Sequence, residues 1–131
     1  MWVLCDRDPV KTWSKGRVTL LGDAAHPMLQ YLAQGACMAT EDAVCLAHHA
    51  AAMNDPADAL LAYQADRYLR TARVQMTARL YGDIYHAAGP VAELRKMMLS
   101  DRSAEQAYTG MSWLYSGVNS NGQQILSLIH I

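Results

Sequence analysis

The sequence predicts a mainly α-helical chain containing one short β-strand, and three features predict it. Arg17 to Leu21, reading RVTLL, is an apolar, β-rich run stopped by Gly22-Asp23. The stretch from Gly35 to Met53 is rich in Ala, also carries Met, Leu and Glu, and has no interior proline. After Asp55-Pro56, apolar residues recur at steps of three or four for some thirty positions. A short continuous apolar run suits a strand, and a long run at helical spacing suits a helix.

Taken in order, Met1 to Lys15 mixes tryptophans, charges and Pro9 without a usable period and reads as a connector. RVTLL suits a strand buried on both faces of a sheet, and one strand cannot make a sheet alone. A loop containing Pro27 leads to the helix of 35–53, which Asn54-Asp55-Pro56 ends. Asp55 is placed to cap the next helix, with Pro56 in its first position and Asp58 where a capping-box acid would reach back. That helix should run from Pro56 to His86. Leu61, Ala65, Leu69, Ala72, Met76, Leu80 and Ile84 form its apolar stripe, with Asp66, Arg67, Arg70 and Arg73 on other faces and Gly89-Pro90 closing it. Val91 to Leu99 and Ala104 to Tyr115 read as two shorter helices. Beyond Gly117 the run NSNGQQ is turn-like, and the closing ILSLIHI breaks the preceding pattern and reads as foreign or disordered. These readings divide the chain into a connector at 1–16, a strand–loop–helix unit at 17–54, a helical region at 55–116 and a tail at 117–131.

Composition narrows the function. Just over half the residues are hydrophobic (52%), enough to build a core, and the net charge of −1 with scattered Lys and Arg leaves no basic stripe for a nucleic acid. No apolar run reaches the roughly 18 to 20 residues of a membrane helix, and the start lacks a secretory signal layout, so a cytoplasmic setting is expected. Cys5, Cys37 and Cys45 are an odd set without CxxC spacing, which implies neither a disulfide framework nor a metal site.

Chemistry concentrates in Gly16 to Val44, GRVTLLGDAAHPMLQYLAQGACMATEDAV. Ligands of open α/β sheets bind beyond the C-terminal ends of strands, where Asp23 would stand. Its carboxylate is a double acceptor for sugar-type hydroxyls, and the N–H groups after Gly35 lie at the positive end of a helix dipole. Such a pair suits a ligand with hydroxyls at one end and negative charge at the other. On pattern alone, Asp23 could equally cap a turn and Gly35 merely permit one.

GDAAHP at Gly22 to Pro27 resembles the second FAD fingerprint of the flavoprotein aromatic hydroxylases of the p-hydroxybenzoate hydroxylase fold. The resemblance runs from DRDP at Asp6 through W-x-x-GRVTLLGDAAHP to about Arg95. It implies an α/β, Rossmann-like FAD-binding parent of which this chain is a C-terminal fragment, inactive alone. It further implies that Gly22 and Asp23 belong to the cofactor site, Asp23 accepting from the ribityl chain of FAD. Gly35 would admit the isoalloxazine ring, the amides of Ala36 and Cys37 would face its pyrimidine edge, and Pro27 with the following loop would line the substrate side. Gln30 and Leu32 stand where the commoner family loop has proline and glycine. QYLAQGACM is similar to the 3-hydroxybenzoate 6-hydroxylase branch, which implies that the Gln30 amide faces a phenolic substrate; a salicylate-type hydroxylase is the nearest competitor. NADH or NADPH and O2 are the implied co-substrates, an aromatic small molecule the partner, and a homo-oligomeric parent is left open.

Other residues are expected to be structural. His26 reads as a hydrogen-bonding residue rather than a base, and His48 and His49, pointing about 100° apart, as surface residues. Cys37 and Cys45 read as core thiols on one helical face, Tyr81 and Tyr85 as packing residues, and the arginines of 67–73 as solvated or ion-paired. The GxGxxG strand-turn-helix of such parents has no match here. Two non-catalytic alternatives stay open: another nucleotide-binding module, or a helical interaction piece.

Overall fold

The structure, a computed structural model, describes residues 4–115. Two short strands, β1 (Ser14–Lys15) and β2 (Val18–Thr19), pair antiparallel around Gly16, whose φ of +58° makes the turn. Two 3-10 turns follow, Gly22–Ala24 and Gln30–Leu32. Four helices complete the chain: α1 (Gly35–Ala52), α2 (Pro56–His86), α3 (Gly89–Ser100) and α4 (Ala104–Tyr115). The mainly helical expectation holds, and α1 and α2 lie where composition and capping put them. Asp55 caps α2 by accepting from the Ala57 amide at 2.9 Å, with Pro56 in the first turn.

Three local expectations are corrected. Only Val18–Thr19 of RVTLL is strand, and its partner comes from the segment read as a connector. Val18 is 69% exposed rather than buried: α2 covers the face of the hairpin that carries Ser14, which bonds Gln64 and Leu60, and no second layer covers the opposite face among the described residues. Gly89-Pro90 does not close α2; His86 ends it and Pro90 lies in the first turn of α3, where its missing N–H costs nothing. The tail from Gly117 onward lies outside the described residues.

The largest correction concerns which side of α2 is inside. Leu61, Leu69, Met76 and Leu80, the expected apolar stripe, are all more than half exposed, and the buried face reads Ala59, Tyr63, Arg67, Arg70, Thr71, Val74, Gln75, Ala78 and Gly82. The reason lies on α1. Its contact face carries Glu41 and Asp42, and buried carboxylates require cations opposite them. Arg67 donates to Asp42 Oδ1 through Nε at 2.7 Å and to Glu41 Oε2 through Nη1 at 2.6 Å, while Arg70 grips Glu41 at 2.6 and 2.7 Å. The arginines are thus ion-paired as expected, but inside, and Arg73 lies over the Trp113 ring at 3.9 Å.

Apolar packing flanks this charged layer on both sides. One cluster joins Leu32, Met38, Val74, Ala78 and Leu114; the other joins Trp13, Ala25, Cys45 and Tyr63. Arg70 also donates to the carbonyls of Trp113 (3.2 Å) and Leu114 (3.4 Å), so the negative end of α4 docks on a cation. Helix α3 buries no residue and leaves Val91, Leu94, Met97 and Met98 exposed.

Candidate functional site

Gly22 begins the site. Its φ is +58°, and a Cβ there would fall 3.2 Å from Ala39 Cβ, so the strand-to-turn corner presses on α1 in a conformation that favours glycine. The amides of Ala25 and His26 both return to the Gly22 carbonyl at 2.9 Å, closing a tight turn that leaves Asp23 exposed. The Asp23 side chain has no hydrogen-bond or ion-pair partner among the described residues.

Across from it, α1 begins without a side-chain cap and without an acid in its first turn. Met38 is the first residue whose amide bonds back into the helix, to the Gln34 carbonyl at 2.9 Å. The N–H groups of Gly35, Ala36 and Cys37 are therefore open donors among the described residues, at the positive end of the dipole. A Cβ on Gly35 would project to 3.7 Å from Asp23 Oδ1 and meet nothing else within 4 Å. The structure thus brings Asp23, Gly35, Ala36 and Cys37 to one edge, a bare acceptor beside bare donors.

Pro27 and Gln30 lie on the connecting loop. The Pro27 carbonyl accepts from Gln75 Nε2 at 2.9 Å, and the same amide donates to the Arg7 carbonyl at 3.1 Å. Tyr31 anchors the far end, its hydroxyl 2.8 Å from His86 Nε2 and its ring against Gly82. Between these anchors Gln30 is exposed, and its side chain makes no hydrogen bond among the described residues. Among the described residues no hydrogen bond joins the Gln30 side chain to Asp23 or Gly35.

His26 is structural, as expected: it is fully buried, and its Nε2 lies 2.6 Å from Asp42 Oδ2. Burial works against charge on Asp42, yet hydrogen bonds from His26 and Arg67 outweigh it and hold the carboxyl below its ordinary range. Cys37 and His49 correct their expectations. Cys37 is exposed and Cys45 buried, since eight residues make more than two turns and rotate the second thiol off the face of the first. His49 is buried and bonds Asp66 of α2 at 2.8 Å.

Cys45, His49 and Asp66 bring their ligand-type atoms within 4.8 Å of one another. Burial, with Asp66 nearby, pushes the Cys45 thiol up to about 11, so it stays protonated at neutral pH while His49 and Asp66 satisfy each other. Sequence reasoning weighed only the adjacent histidines and missed this contact, as it missed the pairing of Asp42 and Glu41 with Arg67. No local pattern says that these residues meet. Tyr81 and Tyr85 do pack together, edge to face at 5.6 Å.

A strand corner, an exposed carboxylate and an uncapped glycine helix start are the parts from which nucleotide-binding α/β folds build a ligand corner. The comparisons make that class specific. The FAD binding domain family matches residues 5–78, and the chain belongs to it. Over 115 residues the chain is 53% identical to 3-hydroxybenzoate 6-hydroxylase 1 of Aquipseudomonas alcaligenes, covering 87% of this chain and 29% of that protein. The 3-hydroxybenzoate 6-hydroxylase of Klebsiella oxytoca is 44% identical over 121 residues, 92% of this chain and 30% of that one. Among solved structures, Klebsiella pneumoniae HpxO complexed with FAD and uric acid superimposes with a TM-score of 0.75 at 36% identity, over 81% of this chain and 28% of that one. The chain therefore spans about three-tenths of the length of the relatives it matches. No helix among the described residues is long and apolar enough to cross a membrane.

Proposed function

We propose that the chain forms the ribityl and pyrimidine side of the FAD site in an aromatic hydroxylase acting on a 3-hydroxybenzoate-like phenolic acid. The observation that carries this reading is the convergence of the unpartnered Asp23 carboxylate with the open amides at the start of α1. The first suits a polyhydroxyl chain; the second suit the carbonyl edge of a ring that gains negative charge on reduction. When bound, FAD would supply the redox chemistry between NADH or NADPH and O2. The chain's own part is to bind and orient. Asp23 accepts from ribityl hydroxyls, Gly35 keeps the approach to the helix start clear, and the Ala36 and Cys37 amides donate to the ring. Pro27 and the loop anchored by Gln75 and Tyr31 line the substrate side, where the free Gln30 amide can meet a phenol or its carboxylate. The names of the relatives support the substrate class.

The test is Asp23→Ala in the full-length hydroxylase, read as FAD affinity of the refilled apoprotein. A charged acceptor is worth about 1.5 to 3 kcal/mol per hydrogen bond, so affinity should fall on the order of ten- to a hundredfold. Unchanged retention of FAD would return Asp23 to a turn residue and remove the reading.

A further inference from the structure

The two ends of the Gly22–His26 segment meet one oxygen atom of α1. Asp42 Oδ2 accepts from the Gly22 amide at 3.0 Å and meets His26 Nε2 at 2.6 Å, so both ends of the segment converge on it. Asp23 lies between those ends and is the exposed polar side chain of the segment. The other oxygen, Oδ1, takes Arg67 Nε at 2.7 Å, which fixes the rotation of the carboxylate from α2. His26 Nδ1 has no hydrogen-bond partner, so the ring's only hydrogen bond among the described residues is to Asp42. Asp42 is fully buried and follows Gly35 by seven residues, about 10 Å along the helix axis, so it shares the rigid body that carries the open amides without lying among them.

We infer that Asp42 is a positioning residue for the FAD site, setting where the Asp23 carboxylate stands relative to the amides at the start of α1. The inference rests on the FAD reading above. Because acceptor and donors must engage one ligand together, a displacement of the turn by a fraction of an ångström weakens the carboxylate's hydrogen bonds while the helix start stays in place. Among the described residues two side chains bond the turn: Arg7, whose Nη2 donates to the carbonyls of Ala24 at 3.0 Å and Ala25 at 2.7 Å, and Asp42, which alone ties it to the helix that carries the open amides. Glu41, its neighbour, bonds the same Arg67 and also Arg70 but makes no hydrogen bond to the turn, and so separates positioning from stability.

The experiment compares Asp42→Glu, Asp42→Asn and Glu41→Gln in the full-length hydroxylase, measuring FAD affinity, melting temperature of the apoprotein and hydrogen exchange at the Gly22 amide. Asp42→Glu keeps the charge against Arg67 but lengthens the reach to the turn, so it covers the case in which Asp42→Asn does not fold. The expected result is an FAD Kd raised on the order of tenfold in the Asp42 variants, with faster Gly22 exchange. Glu41→Gln should lower the melting temperature yet leave Kd within about twofold and Gly22 exchange unchanged. A Kd that follows melting temperature across all variants overturns the inference, as does unchanged Gly22 exchange in both Asp42 variants. Failure of the FAD reading is distinguishable: Asp23→Ala would then leave Kd unchanged while Gly22 exchange still responded to Asp42.

Discussion

Gly82 of α2 lies so close to Tyr31 that a Cβ on it would fall 2.6 Å from Tyr31 Cε2, inside any real contact distance. The glycine is thus the floor on which the loop after Pro27 rests, and it sits in the interior of a 31-residue helix where alanine would be the better helix former.

That conflict predicts a change of sign. Gly82→Ala alone should destabilise, since overpacking costs about 1 to 3 kcal/mol and outweighs a helix gain of about 1 kcal/mol. In a Tyr31→Ala background the same change should stabilise by about 1 kcal/mol. Urea unfolding of the four proteins measures both; the same sign in both backgrounds would refute the steric account.

Removing Arg67 should be far more damaging than its place on a long helix suggests. The guanidinium is fully buried and bridges Asp42 and Glu41, so Arg67→Met leaves the buried Asp42 carboxylate without its arginine, while Glu41 keeps Arg70. A loss of about 3 to 5 kcal/mol is expected, a large part of a domain's stability. Arg67→Lys should rescue little, because a single ammonium cannot reproduce the fork that reaches both acids. Chemical denaturation is the measurement, and full rescue by lysine is the outcome that contradicts the geometry.

Acid should act through Asp42. Its carboxyl titrates below the ordinary value because the His26 and Arg67 hydrogen bonds outweigh burial, so its contribution is complete above the unfolded pKa of about 3.9 and disappears as pH falls through the folded one. The groups around it are His26, Arg67, the Tyr63 hydroxyl, which is pushed up by burial, and the Cys45 thiol; Glu41 faces it across Arg67. Asp42→Asn should lower stability at neutral pH and flatten the fall in stability at the acid end. An unchanged acid slope would show that other carboxylates govern it.

Gln30→Ala tests the substrate side in the full-length hydroxylase. The side chain braces nothing among the described residues, so flavin content and melting temperature should hold while NAD(P)H oxidation without product rises, with hydrogen peroxide as by-product. Product per NAD(P)H that stays at its original value, with FAD content reduced, would contradict a substrate-facing amide and the preference for a 3-hydroxybenzoate-like acid over salicylate.

Local chemistry alone was enough to place α1, α2, the Asp55 cap and the GDAAHP corner, because caps, proline positions and short fingerprints act through neighbours in the chain. It could not say which face of α2 is inside. Hydrophobic periodicity assumes that a helix buries its apolar side, and here the partner helix presents Glu41 and Asp42, whose burial demands Arg67 and Arg70 opposite. The pairing of Ser14–Lys15 with Val18–Thr19, the fit of Tyr31 to Gly82 and the meeting of His49 with Asp66 were equally illegible. Each depends on residues from separate elements arriving at one place, and complementarity of charge and shape across an interface is a property of the pair, written in neither segment by itself.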